Sequence, residues 1–558
     1  MLKLADCGVQ EMGSITAADS ARCGVTSGFT PADILTASAF PHPVTRLDVC
    51  ETNISWVILT GLFAYKIKKS VQLDFIDSST LARRRHLCEE ELRLNRRLAS
   101  DLYVDVVAIT READGVHIAG QGPVVEYAVR MRQFEASQEL SALLEHGAVS
   151  RQEFVGLAQR LARFHETAAK APVSKDFPHT EQLRDAVLGN LATLLCHLDA
   201  ETALPELGFL VDWTHDYLRD SLTQLRLREQ SGAIRECHGD LHARNVVRWG
   251  GQLVPFDCLE FDPNLRWIDV MNDVAFLVMD LTAHGRKDLA FAFLNAYLES
   301  TGDYDGVRHL SFYSVYRALV RAMVDSLGAE KDLGHRQEFQ NRLRMRVNAA
   351  AAYVKRSVPT LIIMHGLSGS GKSWLSEQLV PLLGAVRVRS DVQRKRLGGI
   401  PASQAHAVGY EQGLYTPEFS HRTYARLLEC AESCLEGGMD TIADAAFLNG
   451  ADRRLFRDLA VRAGFRFIVL ACEADPVVLT ERIEKRAQMH GDPSDAGVEV
   501  LDRQLQNRQP LSADEQSAVI VADTTEPQAC QKAFAAIQDR LASMSLSLPS
   551  AWAYGGCR

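Results

Sequence analysis

Residues 366–373 read Gly366-Leu367-Ser368-Gly369-Ser370-Gly371-Lys372-Ser373, directly after the apolar run 361–364. An apolar strand followed by this glycine spacing predicts a strand that turns into a loop and then a helix. The glycines let successive N–H groups converge on one anion, and the helix offers its positive end to the same charge. Lys372 reaches toward β/γ-phosphates and Ser373 supplies a hard oxygen for Mg²⁺. Residues Gly366 to Ser373, with Trp374 next, are therefore the candidate binding residues for a nucleoside triphosphate, ATP with Mg²⁺.

Length leaves room for more than this one unit, since 558 residues correspond to roughly three or four domains. Strands at 361–365, 386–389, 440–444, 466–471 and 518–522 alternate with helical stretches, which predicts a parallel sheet with helices on both faces. Upstream, 54–59 and 63–66 read as a hairpin around Thr60-Gly61, and 80–99 as a charged helix. Two strands, 104–110 and 124–131, flank Asp114-Gly115, and a long helical region covers about 137–230. The expected organisation is a loose leader (1–37), an α+β domain (38–334), a connecting helix (335–357), an α/β domain (358–545) and a tail (546–558).

Composition narrows the partners. The net charge of −10 argues against a general nucleic-acid footprint, though it says nothing of a local basic groove. No run of 18 or more apolar residues predicts a membrane span, and the N-terminus lacks the basic-then-apolar pattern of a secretory signal, so a cytoplasmic protein is expected. The twelve cysteines are scattered, and Cys430 and Cys434 have no partner pair at metal-site spacing. Free thiols in a reducing compartment are expected.

A second phosphate-handling pattern lies at His238-Gly-Asp240-Leu-His-Ala-Arg-Asn245, with Asp257 downstream. Asp240 suits accepting or orienting the proton of an attacking hydroxyl, and Asn245 and Asp257 suit holding Mg²⁺. This pattern, with Trp267-Ile-Asp269-Val-Met-Asn-Asp273 after it, resembles the aminoglycoside and choline phosphotransferases, relatives of the protein-kinase fold. The resemblance implies that Asp269 and Asp273 support the catalytic loop. It implies a phosphate-contacting lysine at Lys66, with Lys68 as competitor, and an acidic partner at Glu91, with Glu90 as competitor. It also implies an adenine-binding strand and hinge at 125–131. No Gly-x-Gly-x-x-Gly loop precedes Lys66; only 52–55 and Thr60-Gly61 stand near that place.

In the C-terminal region Asp391 follows the second strand, where ligands bind in open parallel sheets, and is a candidate base. Arg394 or Arg396 suits neutralising phosphate. Asp391-x-x-Arg394 resembles small-molecule, polynucleotide and zeta-toxin-like kinases of the phosphate-loop class. Asp444 is a candidate for Mg²⁺ contact through water or for substrate positioning, and Ala446 stands where many relatives have Thr. Arg482 and Arg486, four apart on one helix face, resemble lid arginines, with a polar loop at 488–495 after them. As a whole, the chain resembles the bacterial bifunctional aminoglycoside phosphotransferase-like/P-loop ATP-binding family, whose second half is gluconate-kinase-like and AAA-type.

The implied fold is a protein-kinase-like α+β domain fused to an α/β P-loop kinase domain. The implied activity is ATP-dependent phosphorylation of a small-molecule hydroxyl. The alternatives are a nucleotide-regulated switch with a pseudokinase-like sensing domain, or a polynucleotide or RNA-end kinase. Nothing in the sequence names the acceptor or the oligomeric state.

Overall fold

Ser55–Leu59 and the almost continuously buried Phe63–Lys68 build the hairpin β2–β3, with Val57 opposite Lys66. Gly61 turns it at φ +92°, in the left-handed region that favours glycine. The computed structural model describes residues 29–73, 76–172, 178–196, 204–331, 334–355, 358–400, 414, 416–487 and 498–546. The expected leader up to residue 28, the polar loop 488–495 and the tail beyond 546 lie outside the described residues.

The described chain divides into two units. One takes residues from Met1–His284 and Tyr313–Ala351, the other from Gly285–Phe312 and Ala352–Arg558. In the first, β1 (Asp48–Glu51), β2, β3, β6 (Tyr103–Glu112), β7 (Gly115–Ile118) and β8 (Val124–Arg132) form an antiparallel sheet in the order β1-β2-β3-β8-β6-β7. Short strands β4 (Gln72–Leu73) and β5 (Ile76–Asp77) pair beside it. One face buries Tyr65, Ile67 and Ile109 against Phe29, Ile34 and Phe40. Residues 29–37, expected in a loose leader, are thus part of the core, because Phe29 and Ile34 supply apolar surface to the sheet. The other face carries Ala64, Lys66 and Lys68 toward α1 (Leu81–Ala99), whose Cys88 packs with Val129, Val254 and Phe256.

Helices α2 (Leu140–Glu145), α3 (Arg151–Thr167), α4 (His179–Cys196) and α5 (Pro205–Gln230) follow. Strand β9 (Ile234–Glu236) pairs with β12 (Trp267–Asp269), and β10 (Val246–Trp249) with β11 (Gln252–Pro255). Helix α6 (Val270–Ala283) begins on Asp269, whose carboxylate accepts from Met271 N at 2.8 Å. Helix α7 (Lys287–Thr301) belongs to the second unit. In α8 (Leu310–Lys331) Asp325 is held by Arg342 and Arg346 of α9 (Arg336–Val354), at 3.1 and 2.5 Å. The helix expected to be a connector is therefore packed on α8, through an ion-pair spacing that no local pattern reveals.

In the second unit β13 (Thr360–His365), β14 (Val386–Arg389), β15 (Thr441–Asp444), β16 (Arg466–Glu473) and β17 (Val519–Asp523) form an all-parallel sheet in the order β14-β15-β13-β16-β17. It is wrapped by α10 (Lys372–Leu383), α11 (Ser390–Leu397), α12 (Pro417–Glu436), α13 (Gly450–Ala463), α14 (Pro476–Ala487), α15 (Val498–Asn507) and α16 (Ala529–Leu546). Residues 285–312, expected in the first domain, join this unit. Asn295 of α7 donates to Ala385 O at 3.0 Å and accepts from Arg387 N at 2.6 Å. Among the described residues no helix is long and apolar enough to cross a membrane.

Candidate functional site

The glycine loop leaves the C-terminal end of β13 and opens α10. Gly366, Gly369 and Gly371 have φ of +148°, +81° and +80°. A Cβ on Gly366 would stand 2.6 Å from Cys472 O and Ser370 Oγ, and one on Gly369 would stand 2.6 Å from Leu479 O. Only glycine fits this cradle. Inside it, Ser370 Oγ is buried with no hydrogen-bond partner among the described residues. Lys372 Nζ folds back to donate to Leu367 O at 2.7 Å. Ser368 N donates to Gln504 Oε1 on α15 at 2.8 Å. Trp374 is exposed on the first turn of α10.

Beside the loop, Asp444 ends β15 and is buried, its Oδ2 accepting from Ser376 Oγ at 3.0 Å. The parallel register sets Arg389 opposite Asp444, so Asp391, the second residue of α11, leaves the same edge of the sheet. The loop, Asp391 and Asp444 are thereby gathered at one sheet edge. Arg394 lies on α11, three residues after Asp391. Its guanidinium donates to Leu414 O (2.7 Å) and Ser420 Oγ (3.1 Å), bracing α11 against α12. Arg396 likewise grips Glu299 O at 2.7 Å.

Arg482 reaches the loop. It donates to Gly369 O (3.3 Å), Thr524 Oγ1 (2.8 Å) and Thr524 O (2.9 Å), while Thr524 Oγ1 donates to Ser370 O (2.9 Å). The side chain of Arg486 lies outside the described residues. His365 Nδ1 donates to Phe447 O at 3.0 Å, and burial lowers its pKa, as suits a packing residue.

In the first unit Lys66 Nζ donates to Glu91 Oε1 at 2.7 Å and Asp257 Oδ1 at 2.6 Å. Lys68 donates to Glu91 Oε2 and, at 2.9 Å, to Glu260 Oε1. Both lysines share Glu91, because residues two apart on a strand face the same way. Glu90 turns outward to Arg93, at 2.9 Å. Asp257 sits at φ +64°, a strained conformation for a residue with a Cβ, next to Cys258, whose N donates to Asn95 Oδ1 at 2.9 Å.

Asp273 accepts from His238 N (2.9 Å) and Gly239 N (3.0 Å), and Asp280 from Ala243 N (2.8 Å). These two carboxylates of α6 pin the loop that presents Asp240. Asn245 Nδ2 donates to Asp240 O (2.9 Å) and Oδ2 (3.1 Å), and Asn245 O accepts from Phe256 N (2.9 Å), which brings Asn245 beside Asp257. Burial pushes the Asp240 carboxyl up, but the positive charges of His242, Arg321 and His238 outweigh it and hold it well below the usual range. Strand β8, expected to carry the hinge, is central in the sheet, with Glu126 buried against Arg84 at 2.8 Å.

Sequence reasoning missed Glu260, Arg321, Arg387, Gln504 and Thr524. Lys68 and Glu260 could have been found as a buried pair only with the sheet pairing known. The others lie on elements far apart in sequence and share no motif.

A family described as an AAA domain matches residues 361–511. Among solved structures, a gluconokinase from Sinorhizobium meliloti is 19% identical and covers 34% of this chain and 99% of its own, with a TM-score of 0.25. A choline kinase from Cryptosporidium parvum is 11% identical and covers 56% of this chain and 89% of its own, with a TM-score of 0.35. The uncharacterized proteins Rv2004c of Mycobacterium tuberculosis and Mb2027c of Mycobacterium bovis are each 30% identical over 464 residues, 82% of this chain and 90% of theirs. Matched across nearly their whole length, the chain belongs to the same family as these mycobacterial proteins.

Proposed function

We propose that the chain is an ATP-dependent phosphotransferase, with the phosphate loop of the second unit binding ATP and Asp391 activating a small-molecule hydroxyl. The observation that carries this reading is the glycine cradle with Lys372 at the same sheet edge as Asp391 and Asp444. The loop N–H groups and Lys372 bind the phosphates. Asp391 accepts the acceptor's proton as an O–P bond forms and the bond from the γ-phosphorus to ADP breaks.

The donors near the loop suit Mg²⁺, since Ser373 and the buried Asp444 are hard oxygens. When bound, Mg²⁺ would neutralise phosphate charge. Arg482 keeps the loop in shape through Gly369 and Thr524. In the first unit we assign a second kinase-like site, with Asp240 as base, Asn245 and Asp257 as Mg²⁺ ligands, and Lys66, braced by Glu91, toward phosphate.

The test is transfer of labelled γ-phosphate from ATP into a bacterial small-metabolite extract by wild type, Lys372→Ala and Asp240→Asn. A product lost in one variant assigns the chemistry to that unit. A product unchanged in both variants would sink the proposal. ATP binding without any product would favour the nucleotide-regulated switch.

A further inference from the structure

We infer that Glu299, on α7, is a positioning residue for the phosphate-loop site, acting through Arg387 and Arg389. The inference rests on the reading of Gly366–Trp374 as an ATP site.

Arg387 projects from β14 and is almost fully buried. Its NH1 donates to Ser373 O at 3.1 Å and Ser376 Oγ at 3.4 Å, and its NH2 to Glu299 Oε1 at 3.0 Å. A serine hydroxyl has one hydrogen. That hydrogen has two acceptors in reach, Ser373 O at 3.1 Å and Asp444 Oδ2 at 3.0 Å. Arg387 already donates to Ser373 O, and the carboxylate is the stronger acceptor, so Arg387 favours the bond to Asp444. The line Glu299–Arg387–Ser376–Asp444 therefore orients the carboxylate that would hold Mg²⁺, and the bond to Ser373 O fixes the first turn of α10.

The other oxygen, Glu299 Oε2, lies 3.6 Å from Arg389 NH1. Arg389 is the residue on which α11 begins, two before Asp391. One carboxylate thus braces both the metal side and the acceptor side of the site. Its backbone is held in turn, since Arg396 donates to Glu299 O at 2.7 Å. A guanidinium fork suits this task, because it spans two acceptors in one plane.

The arrangement has a signature that simple packing lacks. Glu299→Gln removes a negative charge near the phosphates, so affinity for metal-free ATP holds or rises. The loss of orientation at Asp444 weakens the gain that Mg²⁺ brings, by roughly tenfold, as for residues that orient metal ligands.

The experiment titrates the full chain with ATP in excess Mg²⁺ and in EDTA, counting only binding that Lys372→Ala abolishes. Wild type, Glu299→Gln, Arg387→Gln and the double variant are compared, with thermal melting as the folding control. The expected result is a reduced Mg²⁺ gain in both single variants and no further loss in the double. An unchanged gain in Glu299→Gln overturns the inference. Should Glu299→Gln fail to fold, Arg387→Lys, which keeps the charge but loses the fork, gives the same readout. If wild type shows no Lys372-dependent ATP binding, the phosphotransferase reading fails first and this inference with it.

Discussion

Lys372 Nζ donates to the carbonyl of Leu367, five residues earlier in the same loop, at 2.7 Å. The ammonium is thereby parked on the cradle it serves. A neutral carbonyl is a weak competitor for a phosphate, so ATP displaces it at small cost. Lys372→Ala is expected to lower ATP affinity at this site by about a hundredfold while changing stability by about 1 kcal/mol, since the hydrogen bond to Leu367 O is partly exposed. Calorimetric titration and denaturant unfolding check the two halves. A large loss of stability would show that the lysine is chiefly a structural clamp.

Glu91 and Glu90 are adjacent in sequence and opposite in consequence. The Glu91 side chain is fully buried and shared by Lys66 and Lys68, whereas Glu90 is partly exposed and meets Arg93 at 2.9 Å and Arg266 at 3.5 Å. Removing one partner of a buried ion network strands the rest, at about 3–5 kcal/mol. Exposed pairs contribute about 1 kcal/mol or less. Glu91→Ala should therefore destabilise the first unit severely, and Glu90→Ala far less. Equal effects in denaturant melts would contradict the geometry.

The parallel strands were legible because their apolar runs are local, and β14 spans the same residues that patterning predicts. The glycine loop was legible for the same reason. The strand pattern placed Asp391 just after β14, with Arg394 three residues on. It could not show that Leu414 O and Ser420 Oγ occupy Arg394, because that depends on how α12 packs. Glu299 was invisible. It reaches Arg387 from 88 residues away in sequence, through a helix whose own pattern says only that one face is buried. Phe29 and Ile34 were misplaced because short irregular segments carry no periodicity even when they fill a core.

Glu236 gives a pH test. Burial pushes its carboxyl up, but Arg93, Arg97 and Arg266 outweigh this and bring it from the usual 4.5 to about 2. A carboxylate lowered on folding adds stability above its unfolded pKa and loses it as pH falls toward the folded value. The stability gap between wild type and Glu236→Gln should thus be full near neutral pH, at most about 3 kcal/mol, and close between about pH 4.5 and 2. Urea unfolding at a series of pH values measures it. A gap constant down to about pH 2 would show that the arginines do not hold the charge.

The place of α7 predicts how the second unit behaves when cut free. Its Asn295 satisfies Ala385 O and Arg387 N, and its Glu299 faces Arg387 and Arg389. A fragment Ala352–Arg558 would leave the backbone groups of β14 and two guanidiniums without these partners. It would also expose the apolar surface that Phe291, Leu294 and Leu298 help bury. Unsatisfied buried polar groups cost about 1–3 kcal/mol each, enough to unfold a domain of ordinary stability. The fragment is therefore expected to melt early or aggregate, and a synthetic peptide spanning Gly285–Phe312 to raise its melting temperature in a concentration-dependent way. Differential scanning fluorimetry with increasing peptide decides the matter. A fragment as stable alone as with saturating peptide would mean that α7 only rests on the sheet and does not complete it.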